Sequence, residues 1–172
     1  MTYKEAITAG NAKLAKNPKT RFIGYGLDKG RALGTLKGVL DNQIIEMPVA
    51  ENLMMGMAIG LALKGYLPVV FIERMDFLMN AMDALVNHLD KIEQISDGQF
   101  KPKVIIRCIV GNTEKPLYTG ATHTQDFSNV LGNMLKTPVF ALKNEVSARA
   151  AYGPILDGCE TSSLFIEYKD LM

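Results

Sequence analysis

One carboxyl holds the most chemical promise in this 172-residue chain. Glu51 sits in Pro48-Val-Ala-Glu51-Asn-Leu-Met-Met-Gly56-Met-Ala-Ile-Gly60, entering a run of apolar and small residues with no basic side chain close in sequence. Two effects on its charge oppose each other. A helix N-terminus favours the carboxylate by about 0.3–1 kcal/mol, whereas full burial disfavours it more strongly. A shielded Glu51 could hold a proton near neutral pH and take part in acid–base work. An exposed one would be an ordinary acidic residue of a first helical turn, and both readings stay open at this point. His123, in Thr119-Gly-Ala-Thr-His123-Thr-Gln125, is an imidazole in a polar stretch, suited to proton transfer or simply exposed. Phe77 heads an amphipathic run, where it is either a ring for a ligand or a core residue. His88 falls within that run and reads as structural.

Other groupings fail on spacing. Gly24-Tyr-Gly26-Leu-Asp-Lys-Gly30 follows an apolar segment and imitates a dinucleotide fingerprint, but Lys29 occupies the place of the third glycine, which must let helix and strand pack closely. Cys108 and Cys159 are too few for a disulfide framework, and no C-x-x-C pair or histidine cluster offers a metal site. Nineteen Lys and Arg against 18 Asp and Glu leave a net charge of +1 with no basic block, which argues against a dedicated nucleic-acid surface. The longest apolar run, Leu53 to Leu63, falls far short of the roughly 20 residues of a bilayer span. Met1-Thr-Tyr-Lys-Glu lacks the apolar core of a secretory signal. A reduced, cytoplasmic protein is expected, without nucleic-acid or membrane partners.

The elements that must position these groups alternate along the chain. Thr2 and Glu5 have capping-box spacing ahead of a first helix. Arg21 to Gly24 predicts a short strand, the four glycines from Tyr25 to Gly38 a loop with little regular structure, and Gln43 to Ile45 another strand. Asn52 to Lys64 is apolar nearly all round, predicting a buried helix that Gly65 ends. Leu67 to Ile72 predicts a strand, and Phe77 to Ile92 has helical period. Val104 to Val110 predicts a strand, Gly111 to Gln125 a polar loop, Phe127 to Leu135 a helix and Val139 to Leu142 a strand. A helix over Ser147 to Leu156 and a strand over Ser163 to Glu167 complete the pattern. Strands this apolar favour an α/β fold: a mostly parallel sheet flanked by helices on both faces, in one domain over residues 1–172.

Several segments together resemble the pyrimidine-binding, transketolase-like domain of thiamine diphosphate-dependent enzymes, nearest to the beta subunits of 2-oxo acid dehydrogenases. They are Ile44 to Gly60, Gly65-Tyr-Leu-Pro68-Val, Phe77 to Asp83, Asp97-Gly-Gln-Phe100, Val104-Ile-Ile-Arg107, Ala121-Thr-His123-Thr-Gln125 and Leu164-Phe-Ile-Glu167. The match is weakest from Tyr25 to Gly38. The resemblance implies that Glu51 hydrogen-bonds the aminopyrimidine ring nitrogen of thiamine diphosphate. Sharing a proton there favours the imino tautomer, whose exocyclic nitrogen deprotonates the thiazolium; the ylid then attacks a substrate carbonyl. It implies that Phe77 lies against the aminopyrimidine ring and that His123 faces substrate.

It also implies what other chains must supply. Magnesium and the diphosphate belong, in the family, to a domain with a Gly-Asp-Gly segment and a downstream Asn. Ser96-Asp97-Gly98 aligns instead with the family's Gly-Gln-Phe turn, so Asp97 is not read as a metal ligand. The expectation is a split, heteromeric enzyme in which this chain pairs with a diphosphate-binding partner subunit that ligates Mg²⁺. Within a heterotetramer it would form a homodimer and act on a 2-oxo acid or ketose. The family's C-terminal domain is expected to be separate or absent, because the chain stops at Leu171-Met172. Family members often carry acidic residues where this chain has Tyr25-Gly-Leu27, and Asn112 to Tyr118 is also unlike its relatives. Both departures leave the substrate's identity open, and the altered Tyr25 to Gly38 segment with the missing C-terminal domain keeps open a non-catalytic structural or regulatory subunit that retains the fold.

Overall fold

A computed structural model describes residues 1–117, 120–156, 158 and 161–172. Tyr118, Thr119 and Cys159 of the sequence reading lie outside the described residues. The first helix, α1 (Tyr3–Leu14), starts at the expected capping box: Glu5 N–H donates to Thr2 Oγ1 at 3.2 Å and Thr2 N–H to Glu5 Oε2 at 2.7 Å. Then come β1 (Thr20–Gly24), α2 (Leu27–Gly34), β2 (Ile44–Glu46), α3 (Glu51–Leu63) and β3 (Leu67–Ile72). A helical run follows: α4 (Met75–Leu78), a 3₁₀ turn (Met79–Ala81), a π-helical stretch (Asp83–Leu89) and α5 (Ile92–Ile95). The chain continues as β4 (Ile105–Val110), α6 (Ser128–Met134), β5 (Val139–Ala141), α7 (Glu145–Leu156) and β6 (Ser163–Tyr168).

The six strands form one sheet in the order β2-β1-β3-β4-β6-β5, and every described pairing is parallel. All carboxyl ends therefore lie on one edge. Alternate residues face opposite sides. Ile106, Cys108, Leu164 and Ile166 join Met54, Met55, Ala58, Leu78 and Leu85 in the core under α3 and the helical run. Ile105, Ile109 and Phe165 join Ile7, Leu14, Ala148 and Tyr152 in the core under α1 and α7. The expected helix-covered parallel sheet is what forms.

Two segments differ from the sequence reading. Tyr25 to Gly38 is more ordered than a glycine-rich loop: it holds α2, inside which Arg31, Ala32 and Leu33 take left-handed φ angles of 47°, 48° and 59°. None of the three is glycine, so no local signal announces that turn. The second is α3, which ends as expected in a Schellman motif, Tyr66 N–H donating to Leu61 O and Gly65 N–H to Ala62 O, with Gly65 at φ 79°. It is not buried all round. Met54, Met55, Ala58 and Ile59 pack on the sheet, but Leu53 is 55% and Met57 39% exposed, and Gly56 and Gly60 lie open beside them. Hydrophobicity on every face cannot say which face the sheet covers.

Candidate functional site

The chain turns back on itself between β1 and β3: from β1 it moves outward to β2, then returns past β1 to β3. Such a switch leaves a crevice beyond the carboxyl ends of the strands. A cavity of about 100 Å³ lies there, lined by Tyr25 after β1, Val49, Glu51 and Met54 at the start of α3, Phe71, Ile72 and Glu73 at the end of β3, and Phe77 of α4.

Glu51 is the first residue of α3 and only 6% exposed. Its Oε2 accepts from Asn80 Nδ2 at 3.3 Å, and among the described residues no other side chain bonds to this carboxylate. The fold thus shields the Glu51 side chain from solvent. Phe77, half-buried, lines the same cavity and meets His123 edge to face, ring centroids 5.5 Å apart and planes at 84°. All three residues singled out in the sequence thus gather at one edge of the sheet, Glu51 and Phe77 around one cavity and His123 against Phe77.

The loop carrying His123 is fastened at several points. His123 N–H donates to Gly120 O at 3.2 Å, and Thr122 Oγ1 and His123 Nδ1 share a hydrogen bond of 3.1 Å. Gln125 Nε2 donates to Asp76 Oδ1 at 2.7 Å, beside Phe77. Tyr168 Oη donates to Asp126 Oδ2 at 3.0 Å, and Thr113 Oγ1 to Asp170 Oδ2 at 2.6 Å. Burial raises the Asp126 carboxyl, but the Ser128 hydroxyl and N–H, with Tyr168, outweigh it and hold it below the usual carboxylate value. Burial and the Asp126 anion push the Tyr168 phenol up. Burial likewise pushes the free Cys108 thiol well up, the opposite of a reactive thiolate.

Sequence reasoning gave no role to four residues whose contacts the structure shows. Asn80 lies one helical turn beyond Phe77, a spacing that could have paired it with the site. Glu46 fills the N-terminus of α2, accepting from the N–H groups of Gly26, Leu27 and Asp28 at 2.6, 2.6 and 2.8 Å. The place where a dinucleotide phosphate would sit is taken by this carboxylate, in keeping with the failed fingerprint. Arg107 and Glu167 form a fully buried bidentate pair, Nε to Oε1 at 2.7 Å and Nη2 to Oε2 at 3.0 Å, and Nη2 also donates to Thr35 Oγ1 at 2.8 Å. Among the described residues no group of three or more His, Cys, Asp or Glu could hold a metal ion, and no helix is long and apolar enough to cross a membrane.

Comparison with known proteins places this geometry. Residues 1–155 match the family model described as transketolase, pyrimidine binding domain. The mitochondrial pyruvate dehydrogenase E1 component subunit beta of Saccharomyces cerevisiae is 31% identical over 140 residues, covering 78% of this chain and 37% of that protein. The corresponding subunit beta of Gracilaria tenuistipitata var. liui is 36% identical over 128 residues, 70% of this chain and 38% of that one. The chain thus spans less than two-fifths of these relatives. Among solved structures, a split gene transketolase described as an inactive beta4 tetramer matches with a TM-score of 0.75 and 19% identity, over 98% of this chain and 52% of that one. Transketolase from Campylobacter jejuni matches with a TM-score of 0.75 and 17% identity, over 98% and 26%. At those identities the structures speak for the fold alone. The chain belongs to the transketolase pyrimidine-binding domain family of thiamine diphosphate-dependent enzymes.

Proposed function

We propose that this chain is the pyrimidine-binding subunit of a split, heteromeric thiamine diphosphate enzyme acting on a 2-oxo acid or ketose, and that Glu51 activates the cofactor. One observation carries the reading: a buried carboxylate at a helix start opens onto a small cavity with an aromatic ring in its wall. A flat heterocycle with a basic nitrogen at its edge suits a shielded carboxyl, a phenyl ring and the apolar Met54 and Ile72; a diphosphate does not. The cavity, about 100 Å³, is also far below the roughly 300–1,000 Å³ of sites that enclose a whole drug-sized ligand. This chain therefore builds one wall, and a diphosphate-binding partner subunit, which would also ligate Mg²⁺, builds the rest.

Thiamine diphosphate supplies, when bound, a nucleophilic carbon and an electron sink for cleaving the bond next to a carbonyl. This chain's residues set the conditions. The Glu51 carboxyl holds or shares a proton at the ring nitrogen, and Asn80 steers its Oε2. Phe77 restricts the plane of the ring. His123, fixed against Phe77, moves a proton at the substrate.

The exposed apolar face of α3, with Leu53, Gly56, Met57 and Gly60, is where a second copy packs within a heterotetramer. The split gene transketolase of similar fold is described as an inactive beta4 tetramer. A cytoplasmic location is part of the same proposal. The test is calorimetry with thiamine diphosphate and Mg²⁺ on the complex purified through this chain. Saturable binding by the complex and none by the chain alone is expected; a complex that binds no cofactor contradicts the reading.

A further inference from the structure

Glu46 is a further carboxylate at this edge of the sheet, and the reading above gives it no task. It ends β2, in register with Gly24 at the end of β1. From there its two oxygens accept from three successive backbone N–H groups: Oε1 from Gly26 at 2.6 Å, Oε2 from Leu27 at 2.6 Å and from Asp28 at 2.8 Å. Charged acceptors make the stronger hydrogen bonds, and three on one carboxylate leave the turn after β1 little freedom. That turn begins with Tyr25, whose side chain lines the cavity beside Glu51 and Phe77 although the residue is 47% exposed. An aromatic with so much open surface is not placed by core packing. Its position is inherited from the backbone of the turn, which Glu46 holds from the neighbouring strand.

We propose that Glu46 is a positioning residue, its carboxylate fixing the turn that presents Tyr25, and that Tyr25 is the wall selecting which ring enters beside Glu51. The pairing explains why a carboxylate sits in an exposed place with no cation for a partner among the described residues: its partners are the backbone N–H groups. It also makes discrimination at the cavity depend on two residues that never need to touch. A tyrosine at this wall offers a ring face without adding a third carboxylate to the two already lining the cavity, Glu51 and Glu73. The inference rests on the proposed cofactor reading for the identity of the ring, but not for the clamp itself.

Two measurements on the complex purified through this chain test it, with Glu46→Gln, Tyr25→Ala and the double variant. The first is backbone hydrogen–deuterium exchange. Glu46→Gln should speed exchange at Gly26, Leu27 and Asp28 by about tenfold or more, the factor that one hydrogen bond to a charged group represents, while β3 and α3 keep their protection. The second is thiamine diphosphate binding by calorimetry with a KM-against-kcat split. Each single variant should raise Kd and KM for the cofactor more than it lowers kcat. The double variant should be no worse than Tyr25→Ala, because Glu46 acts through Tyr25. Unchanged exchange at the three amides overturns the clamp, and it does so whether or not any cofactor binds. Additive effects in the double variant, or an unchanged Kd in Tyr25→Ala, overturn the link to the cavity. If the unaltered complex binds no thiamine diphosphate, the cofactor reading and the wall role of Tyr25 fall together, and the exchange result still decides the clamp.

Discussion

Phe77 and His123 meet edge to face, centroids 5.5 Å apart, joining the helical turn after β3 to the loop after β4. The contact ties an aromatic in the Glu51 cavity to the imidazole, so whatever settles one ring settles the other. Aromatic pairs of this kind contribute about 0.5–1.5 kcal/mol beyond their burial. Phe77→Leu keeps apolar volume but removes the ring. It should weaken cofactor binding by the complex by about three- to tenfold, the factor such an energy represents, while the melting temperature falls little. Calorimetry beside a thermal scan checks this, and unchanged affinity removes Phe77 from the site.

Gly111 lies directly under the His123 backbone: a Cβ built on it would collide with the His123 carbonyl oxygen. Gly111→Ala should push the His123 loop off Phe77. Because the Thr113–Asp170 and Asp126–Tyr168 bonds hold the loop on either side, the displacement should stay local. Turnover by the complex should fall more steeply than stability, as rate assays beside urea denaturation would show.

The Arg107–Glu167 pair should dominate the stability of the sheet's centre. Both side chains are fully buried, and Arg107 Nη1 already lacks a hydrogen-bond partner among the described residues. Removing one member of such a pair costs about 3–5 kcal/mol, whereas replacing both by apolar residues of similar volume is often neutral or better. Glu167→Gln should lower the urea midpoint sharply, and Arg107→Met with Glu167→Leu should recover most of the loss. The double change also removes the donor to Thr35, so exchange at residues 31–38 should rise even where global stability returns.

Acid should act partly through Asp90. Burial alone would raise its carboxyl, but the Lys91 ammonium at 2.8 Å and the Thr137 N–H at 2.7 Å outweigh burial and hold it below the usual carboxylate value. A carboxyl lowered in the folded state contributes stability that is fully present above its unfolded value of about 3.9. That contribution is lost as the pH falls through the lower folded value. Asp90→Asn should therefore melt earlier than the unaltered protein at neutral pH, and the two should converge as the pH falls through the lowered folded value. A constant gap in melting temperature down to acid would show that the lowered carboxyl contributes nothing.

Much of this architecture was legible because it is local. The Thr2–Glu5 capping box, the apolar run of β3 and the glycine that stops α3 each carry their signal within a few residues, and each forms as expected. The gathering of Glu51, Phe77 and His123 at one edge followed from resemblance rather than from spacing. Partners that meet across strands stayed hidden: Arg107 and Glu167 lie 60 residues apart, and Glu46 reaches back to amides 18 to 20 residues before it. Backbone N–H groups have no residue type, so no sequence pattern announces an acceptor for them. The open face of α3 was hidden for the opposite reason, since uniform hydrophobicity conceals which side the sheet leaves free.

The account turns most directly on Glu51→Gln in the cofactor-loaded complex, assayed for turnover alongside cofactor binding. Glutamine keeps the shape and a hydrogen-bonding group but cannot share a carboxyl proton. The account predicts a complex that still binds thiamine diphosphate and turns over at least about a hundredfold more slowly, the scale of a lost acid–base group. Turnover equal to that of the unaltered complex would contradict it.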